Sequence, residues 1–143
     1  MIAFFPGSFD PFTIGHKDIA DRALAMFDKL VIAIGYNENK KGLLSPEERK
    51  ARIESVYKDN PRVEVILYNT LTADLAKELG ATIIKGVRSV KDFEYERDQA
   101  ETNRKLTGVE TLLLCSSPEV SAISSTLVRE LMHFGKDVSP FLP

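Results

Sequence analysis

The chain has 143 residues, 43% apolar and 28% charged, with a net charge of -2, ordinary proportions for a soluble globular domain. This length predicts one domain with a real core, and the lack of a positive excess argues against a protein that wraps duplex nucleic acid. A single cysteine, Cys115, excludes an intramolecular disulfide and fits a reducing compartment. No run approaches the ~18 apolar residues of a membrane span.

Met1 leads directly into a first strand at 2–5 with no basic segment before it, so a cytoplasmic location is expected. That strand runs straight into Pro6-Gly7-Ser8-Phe9-Asp10-Pro11-Phe12-Thr13-Ile14-Gly15-His16 and then a helix. Small residues, hydroxyls and an imidazole at the end of a buried strand and the start of a helix suit an anion. In the helix, Ile19, Ala23, Met26 and Phe27 share one face. The apolar run 30–35 predicts a second, buried parallel strand. Ser45-Pro46-Glu47-Glu48 predicts a helix start with a capping box, continuing to about Tyr57. A third strand is expected at 63–68, a short helix at 73–79 ended by Gly80, and a fourth strand at 82–85. A polar helix from about 90 to 106 and a fifth strand at 110–115 follow. Cys115 reads there as a small buried hydrophobe rather than a nucleophile. The last helix is expected at 124–134, with 127, 131 and 134 on its core face.

Alternating strands and helices predict a single-domain, Rossmann-like, doubly wound parallel sheet of five strands with helices on both faces, over residues 1–143. In such a sheet the loops after the strands line the ligand crevice. Here those loops carry Ser8, Thr13 and His16; Lys40 and Lys41; Asn69, Thr70 and Thr72; Lys85, Gly86 and Arg88; and the hydroxyl-rich run 116–126. Taken singly, each has an ordinary structural reading: a helix-start histidine, solvated lysines, a helix cap at Ser124-Ser125-Thr126. Glu96 reads as a solvated helix face unless it turns toward the crevice. Together, at one sheet edge, they suit a polyphosphate. The chain has no G-x-G-x-x-G after the first strand, no P-loop and no G-x-S-x-G elbow. Two histidines and one cysteine, widely spaced, do not make a zinc site, and no carboxylate pair fixes a metal.

Thr13-Ile14-Gly15-His16 resembles the T/H-x-G-H motif of the nucleotidyltransferases. Ile123-Ser124-Ser125-Thr126-Leu127-Val128-Arg129 resembles their I-S-S-T/S-x-x-R motif. With Pro6-Gly7-Ser8-Phe9-Asp10-Pro11, the Lys40-Lys41 loop, Gly86-Val87-Arg88 and Asp92-Phe93-Glu94-Tyr95-Glu96, the whole chain resembles the bacterial phosphopantetheine adenylyltransferases. The resemblance implies transfer of an adenylyl group from ATP to 4′-phosphopantetheine, giving dephospho-coenzyme A and pyrophosphate. It implies catalytic roles for His16, Lys40 and Ser8. It places Ser8, Phe9, His16, Gly86, Val87, Arg88, Glu96, Val120, Ser121, Ala122, Ile123, Ser124, Ser125 and Thr126 on ATP. It places Ser8, Lys40, Thr72 and Lys85 on the acceptor. Lys85 stands where the family usually has arginine; it keeps the charge but not the bidentate fork. Mg2+ is expected to arrive on the ATP phosphates and to keep several waters. The resemblance also implies a homo-oligomer, typically a hexamer, and coenzyme A as a feedback ligand. On the sequence, transfer to another phosphate acceptor and a non-catalytic nucleotide-binding module remain alternatives.

Overall fold

The computed structural model describes Met1–Pro143. Five parallel strands, β1 (Ile2–Gly7), β2 (Lys29–Gly35), β3 (Val63–Tyr68), β4 (Ala81–Val87) and β5 (Thr111–Cys115), form one sheet in the order β3-β2-β1-β4-β5. The helices are α1 (Ile14–Met26), α2 (Pro46–Val56), α3 (Thr72–Glu78), α4 (Val90–Thr107) and α5 (Ser125–His133), with a 3-10 turn at Ser139–Phe141. This is the doubly wound arrangement expected, and most boundaries fall within a residue or two of the sequence reading.

The central strands are continuous apolar runs because both their faces are covered. On the α1 and α2 side, Phe5, Ile19, Leu30, Ile32, Ile34 and Ile53 form the larger core. On the α3 and α4 side, Phe4, Val31, Ala33, Ala76 and Ile83 form the smaller one. Ser45 caps α2 by accepting from the Glu48 N–H at 3.1 Å, but the Glu48 carboxylate takes the Ser45 hydroxyl at 3.3 Å, so the expected reciprocal box is not closed. The full capping box lies instead at α1, between Thr13 and His16.

Three core expectations are corrected. Cys115 is exposed, because β5 is the edge strand and nothing lies beyond it. Met26 and Phe134 are 53% and 68% exposed; they sit at or just past the ends of their helices, beyond the reach of the sheet. In α5 the fully buried residue is Val128 rather than the 127/131/134 stripe.

One feature of the sheet places the site. β1 and β4 pair only from Ile2–Ala81 to Phe4–Ile83, while β1 stays paired to β2 as far as Gly7 and β4 to β5 as far as Val87. The sheet is therefore split between β1 and β4 toward their C-terminal ends. The chain order reverses at that point, the position where open α/β sheets take ligands. Pro6, which has no N–H to offer, falls where β1 has only one partner strand.

Candidate active site

Two clefts open at the split. One, of about 300 Å3, lies on the α1 side and is bounded by Phe9, His16, Gly86, Arg88 and the 123–126 segment. The other, of about 560 Å3, lies on the α4 side and is bounded by Ser8, Lys40, Thr72, Tyr95, Gln99 and Asn103. Pro6, Gly7, Lys85 and Glu96 belong to both walls. The two spaces thus meet over the end of β1, and a group in one can reach a group in the other there.

His16 is the best-defined part. It occupies the third position of α1, and the Thr13 backbone N–H donates to its Nδ1 at 2.9 Å. The Thr13 hydroxyl oxygen in turn accepts from the His16 N–H at 3.4 Å. A backbone N–H can only donate, so Nδ1 carries no proton and the neutral ring carries its proton on Nε2. Phe12 stacks on the imidazole with ring centres 5.5 Å apart, and Phe9 meets it edge-on at 5.0 Å. Desolvation among these rings, then the nearby charges of Arg88 and Lys85, lowers the His16 pKa from 6.5 to about 4. At neutral pH His16 is a fixed, uncharged Nε2–H donor facing an electropositive cleft.

The 123–126 segment supplies a helix start. Ser124 caps α5 by accepting from the Leu127 N–H at 3.1 Å. The N–H groups of Ser125 and Thr126, in the first turn, have no intrahelical acceptor and suit an anion. Gly15 lets this segment approach α1: a Cβ there would lie 3.3 Å from the Ile123 carbonyl oxygen. Asp18 fastens the preceding loop by accepting from the Ser117 hydroxyl at 2.9 Å. Arg88 is aimed by Asp92, which accepts from its Nε at 3.2 Å. Lys85 and Glu96 form an ion pair at 3.4 Å on the shared wall. Phe9, which closes the turn beside Gly7, takes a left-handed φ of 50°.

Residues 4–131 match the cytidylyltransferase-like family. Phosphopantetheine adenylyltransferase of Bacteroides thetaiotaomicron is 51% identical over 99% of this chain and 94% of its own length. That of Phocaeicola vulgatus is 55% identical over the same shares. The chain belongs to the phosphopantetheine adenylyltransferase family. A crystal structure from Vibrio parahaemolyticus, provisionally assigned as a nicotinate-nucleotide adenylyltransferase, superposes with a TM-score of 0.70 at 19% identity, covering 99% of this chain and 85% of the other. At that identity the likeness establishes the shared fold.

Within this family member, the residues singled out from sequence divide between the two clefts. Phe9, His16, Gly86, Arg88, Glu96, Val120, Ile123, Ser124, Ser125 and Thr126 border the smaller cleft. Ser8, Lys40 and Thr72 border the larger one, and Lys85 and Glu96 stand between. Ser8 borders the larger cleft and not the smaller one. Val87 is buried in β4, the Ser121 hydroxyl donates to the Pro118 carbonyl at 3.2 Å, and Ala122 is exposed; none of the three borders either cleft. Lys41 also lies outside both. The Thr72 hydroxyl is 2.9 Å from the Tyr68 hydroxyl, and the Ser125 hydroxyl donates to the Pro11 carbonyl at 2.7 Å. Ser125 therefore offers a ligand its backbone rather than its side chain. Glu96 turns toward the crevice, its side chain 15% exposed.

Sequence reading missed several contacts. Thr13 and His16 were both named as crevice residues, but the capping box that they close was not read. Asp92 stands four residues after Arg88, legible as an i,i+4 pair. Thr111 was not legible: its hydroxyl is buried with no partner, on the wall of the larger cleft. The buried pair of Asp10 and Arg49 joins residues far apart in the chain and left no local signal.

Proposed function

We propose that this chain transfers the adenylyl group of ATP to the phosphate of 4′-phosphopantetheine, yielding dephospho-coenzyme A and pyrophosphate. Two clefts meeting at Gly7, Lys85 and Glu96, with His16 in one and Lys40 in the other, carry the reading. A transferase that joins two phosphate-bearing substrates needs such a junction.

ATP fits the smaller cleft, with its β and γ phosphates on Arg88 and the α5 start. The acceptor phosphate comes from the larger cleft, held by Lys40 and Ser8, with Lys85 at the junction. An oxygen of that phosphate attacks the α-phosphorus, and the bond to the bridging oxygen of pyrophosphate breaks in line. The nucleophile is already an anion, so no covalent intermediate and no strong base are required. Catalysis is positioning and charge stabilisation. The Nε2–H of His16 donates to the α-phosphate oxygens, where negative charge builds. The far part of the larger cleft offers Gln99, Asn103 and the unpaired Thr111 hydroxyl, which suit the amides of a pantetheine arm.

Magnesium enters as part of the substrate, MgATP. No three His, Cys, Asp or Glu side chains gather as a metal cage, and the two acids at the nucleotide cleft are tied to Arg88 and Lys85. Coenzyme A, which shares both halves of the product, is expected to compete as a feedback ligand. We infer a homo-oligomer, a hexamer by resemblance. Val90 and Leu106 of α4 and Leu112 of β5 are exposed apolar residues available to such contacts. No helix is long and apolar enough to cross a membrane, and a cytoplasmic site of action suits this chemistry.

The test is pyrophosphate release with MgATP across a panel of phosphate acceptors, with mass spectrometry of the product. Adenylylated phosphopantetheine is the expected product. Turnover only with a different acceptor, such as nicotinate mononucleotide, or ATP binding without pyrophosphate under any acceptor, overturns the reading.

A further inference from the structure

The β1–α1 turn and the loop that carries Lys40 are joined by an ion pair taken out of water. The side chains of Asp10 and Arg49 are each 7% exposed, with Oδ1 and Nε 3.8 Å apart. The Asp10 carboxylate accepts the N–H groups of Leu43 and Leu44, each at 2.8 Å. Arg49 donates through Nε to the Leu44 carbonyl at 2.9 Å and through Nη1 to the Ser8 carbonyl at 3.2 Å. The donors and acceptors of residues 43–44 are thus gripped from both sides. A Cβ at Gly42 would lie 2.5 Å from an Asp10 carboxylate oxygen and 2.8 Å from the Arg49 Nη2, so the loop backbone passes close against the pair two residues after Lys40. Lys40 itself sits in a closed turn, its N–H donating to the Asn37 carbonyl at 3.0 Å.

A buried ion pair is weak evidence of stabilisation, since desolvation offsets the attraction; fixing one segment against another is its better-attested use. We propose that the Asp10–Arg49 pair is a positioning device for acceptor binding: it sets the placement of Lys40 relative to Ser8 and so governs how the acceptor's phosphate is held, without touching it. This rests on the reading of Lys40 as an acceptor-phosphate ligand. The nucleotide side is anchored separately. Arg129 donates to the Asp10 carbonyl at 2.8 Å and Ser125 to the Pro11 carbonyl, bonds that do not use the Asp10 carboxylate. Loosening the pair therefore disturbs one substrate and spares the other.

The experiment is steady-state kinetics with MgATP and phosphopantetheine on Arg49→Lys and Gly42→Ala, each also combined with Lys40→Ala, together with ATP titration calorimetry. Arg49→Lys keeps the charge and loses the fork. The acceptor KM rises about tenfold, the scale of losing a hydrogen bond to a charged group, and kcat falls less. ATP affinity stays within about twofold of normal. In the Lys40→Ala background the same change raises the acceptor KM by less than about twofold, because its effect has already been removed. Gly42→Ala carries the same test should Arg49→Lys fail to fold. Multiplicative effects in the double variants, or a parallel loss of ATP affinity, overturn the proposal while leaving the function standing. No product from phosphopantetheine with the unaltered chain overturns the function itself.

Discussion

Replacing His16 by glutamine separates two jobs that an alanine substitution would confound. The imidazole closes the α1 capping box through Nδ1 and donates to the cleft through Nε2. Glutamine is a natural third-position partner in a capping box, so its amide oxygen takes the Thr13 N–H while nothing replaces the Nε2–H donor. Turnover of His16→Gln at saturating substrates is expected to fall about 10²–10³-fold, roughly 2.7–4 kcal/mol, the usual effect of deleting one preorganised donor. ATP affinity, which the proposed function assigns to Arg88 and the α5 start, is expected to change by less than about threefold. Losing the stacking of Phe12 and the edge contact of Phe9 costs about 1 kcal/mol of stability. His16→Ala loses that and the cap, a further ~1 kcal/mol. At about 3–4 °C per kcal/mol for a chain of this size, calorimetric melting resolves the two variants.

The same substitution has a pH signature. The His16 pKa falls from 6.5 to about 4 on folding, so the folded state disfavours the imidazolium. As pH drops below 6.5 the unfolded chain takes up the proton first. Stability is then full above pH 6.5 and declines toward pH 4, by roughly 3 kcal/mol in all. His16→Gln lacks this increment, so the stability gap between the two proteins narrows or reverses on acidification. Long-range 15N NMR on the unaltered chain is expected to report the Nε2–H tautomer from pH 5.5 to 8. A midpoint near 6.5, an Nδ1–H tautomer, or near-normal turnover in His16→Gln would refute the role assigned to this ring.

Thr111→Val keeps the shape and removes a buried hydroxyl that has no protein partner. It is expected to leave stability unchanged or slightly raised while raising the phosphopantetheine KM several-fold, about 1 kcal/mol for a lost hydrogen bond. An unchanged KM means that the hydroxyl serves no ligand. Ser124→Ala removes the cap acceptor of the Leu127 N–H. It should lower stability by about 1 kcal/mol and weaken ATP binding more than acceptor binding, read by melting and by calorimetric titration.

The fold was legible because its signals are local. The continuous apolar run at 30–35 and the largely apolar run at 63–68 mark parallel strands, and Ser45-Pro46 and Gly80 punctuate helices through their own backbone preferences. The motif residues His16 and Ser124 were legible for the same reason: each works at a helix start a few residues long. The gathering of distant loops at one sheet edge was also legible, from the alternation of strands and helices, but particular side-chain pairs between distant segments were not. Asp10 reads as a turn residue and Arg49 as one more charge on a polar helix; only the folded chain reveals that they exclude water together. Edge effects escaped as well, since Cys115 and Thr111 belong to one strand and only the sheet order decides which side is covered.

The division of the crevice was invisible for a further reason. Nothing in the composition of β1 and β4 says that their pairing stops after three residues. Pro6 removes one donor from β1 just past that point, and Gly86, where a Cβ would lie 2.9 Å from the Ile19 side chain, brings β4 against α1. Both residues lie beyond the last β1–β4 pair, where the strands part. The parted strands turn one ligand-binding edge into two clefts on opposite faces, joined at Gly7 and Lys85. Under the proposed adenylyl transfer, that junction gives the acceptor phosphate its route to the α-phosphate of ATP.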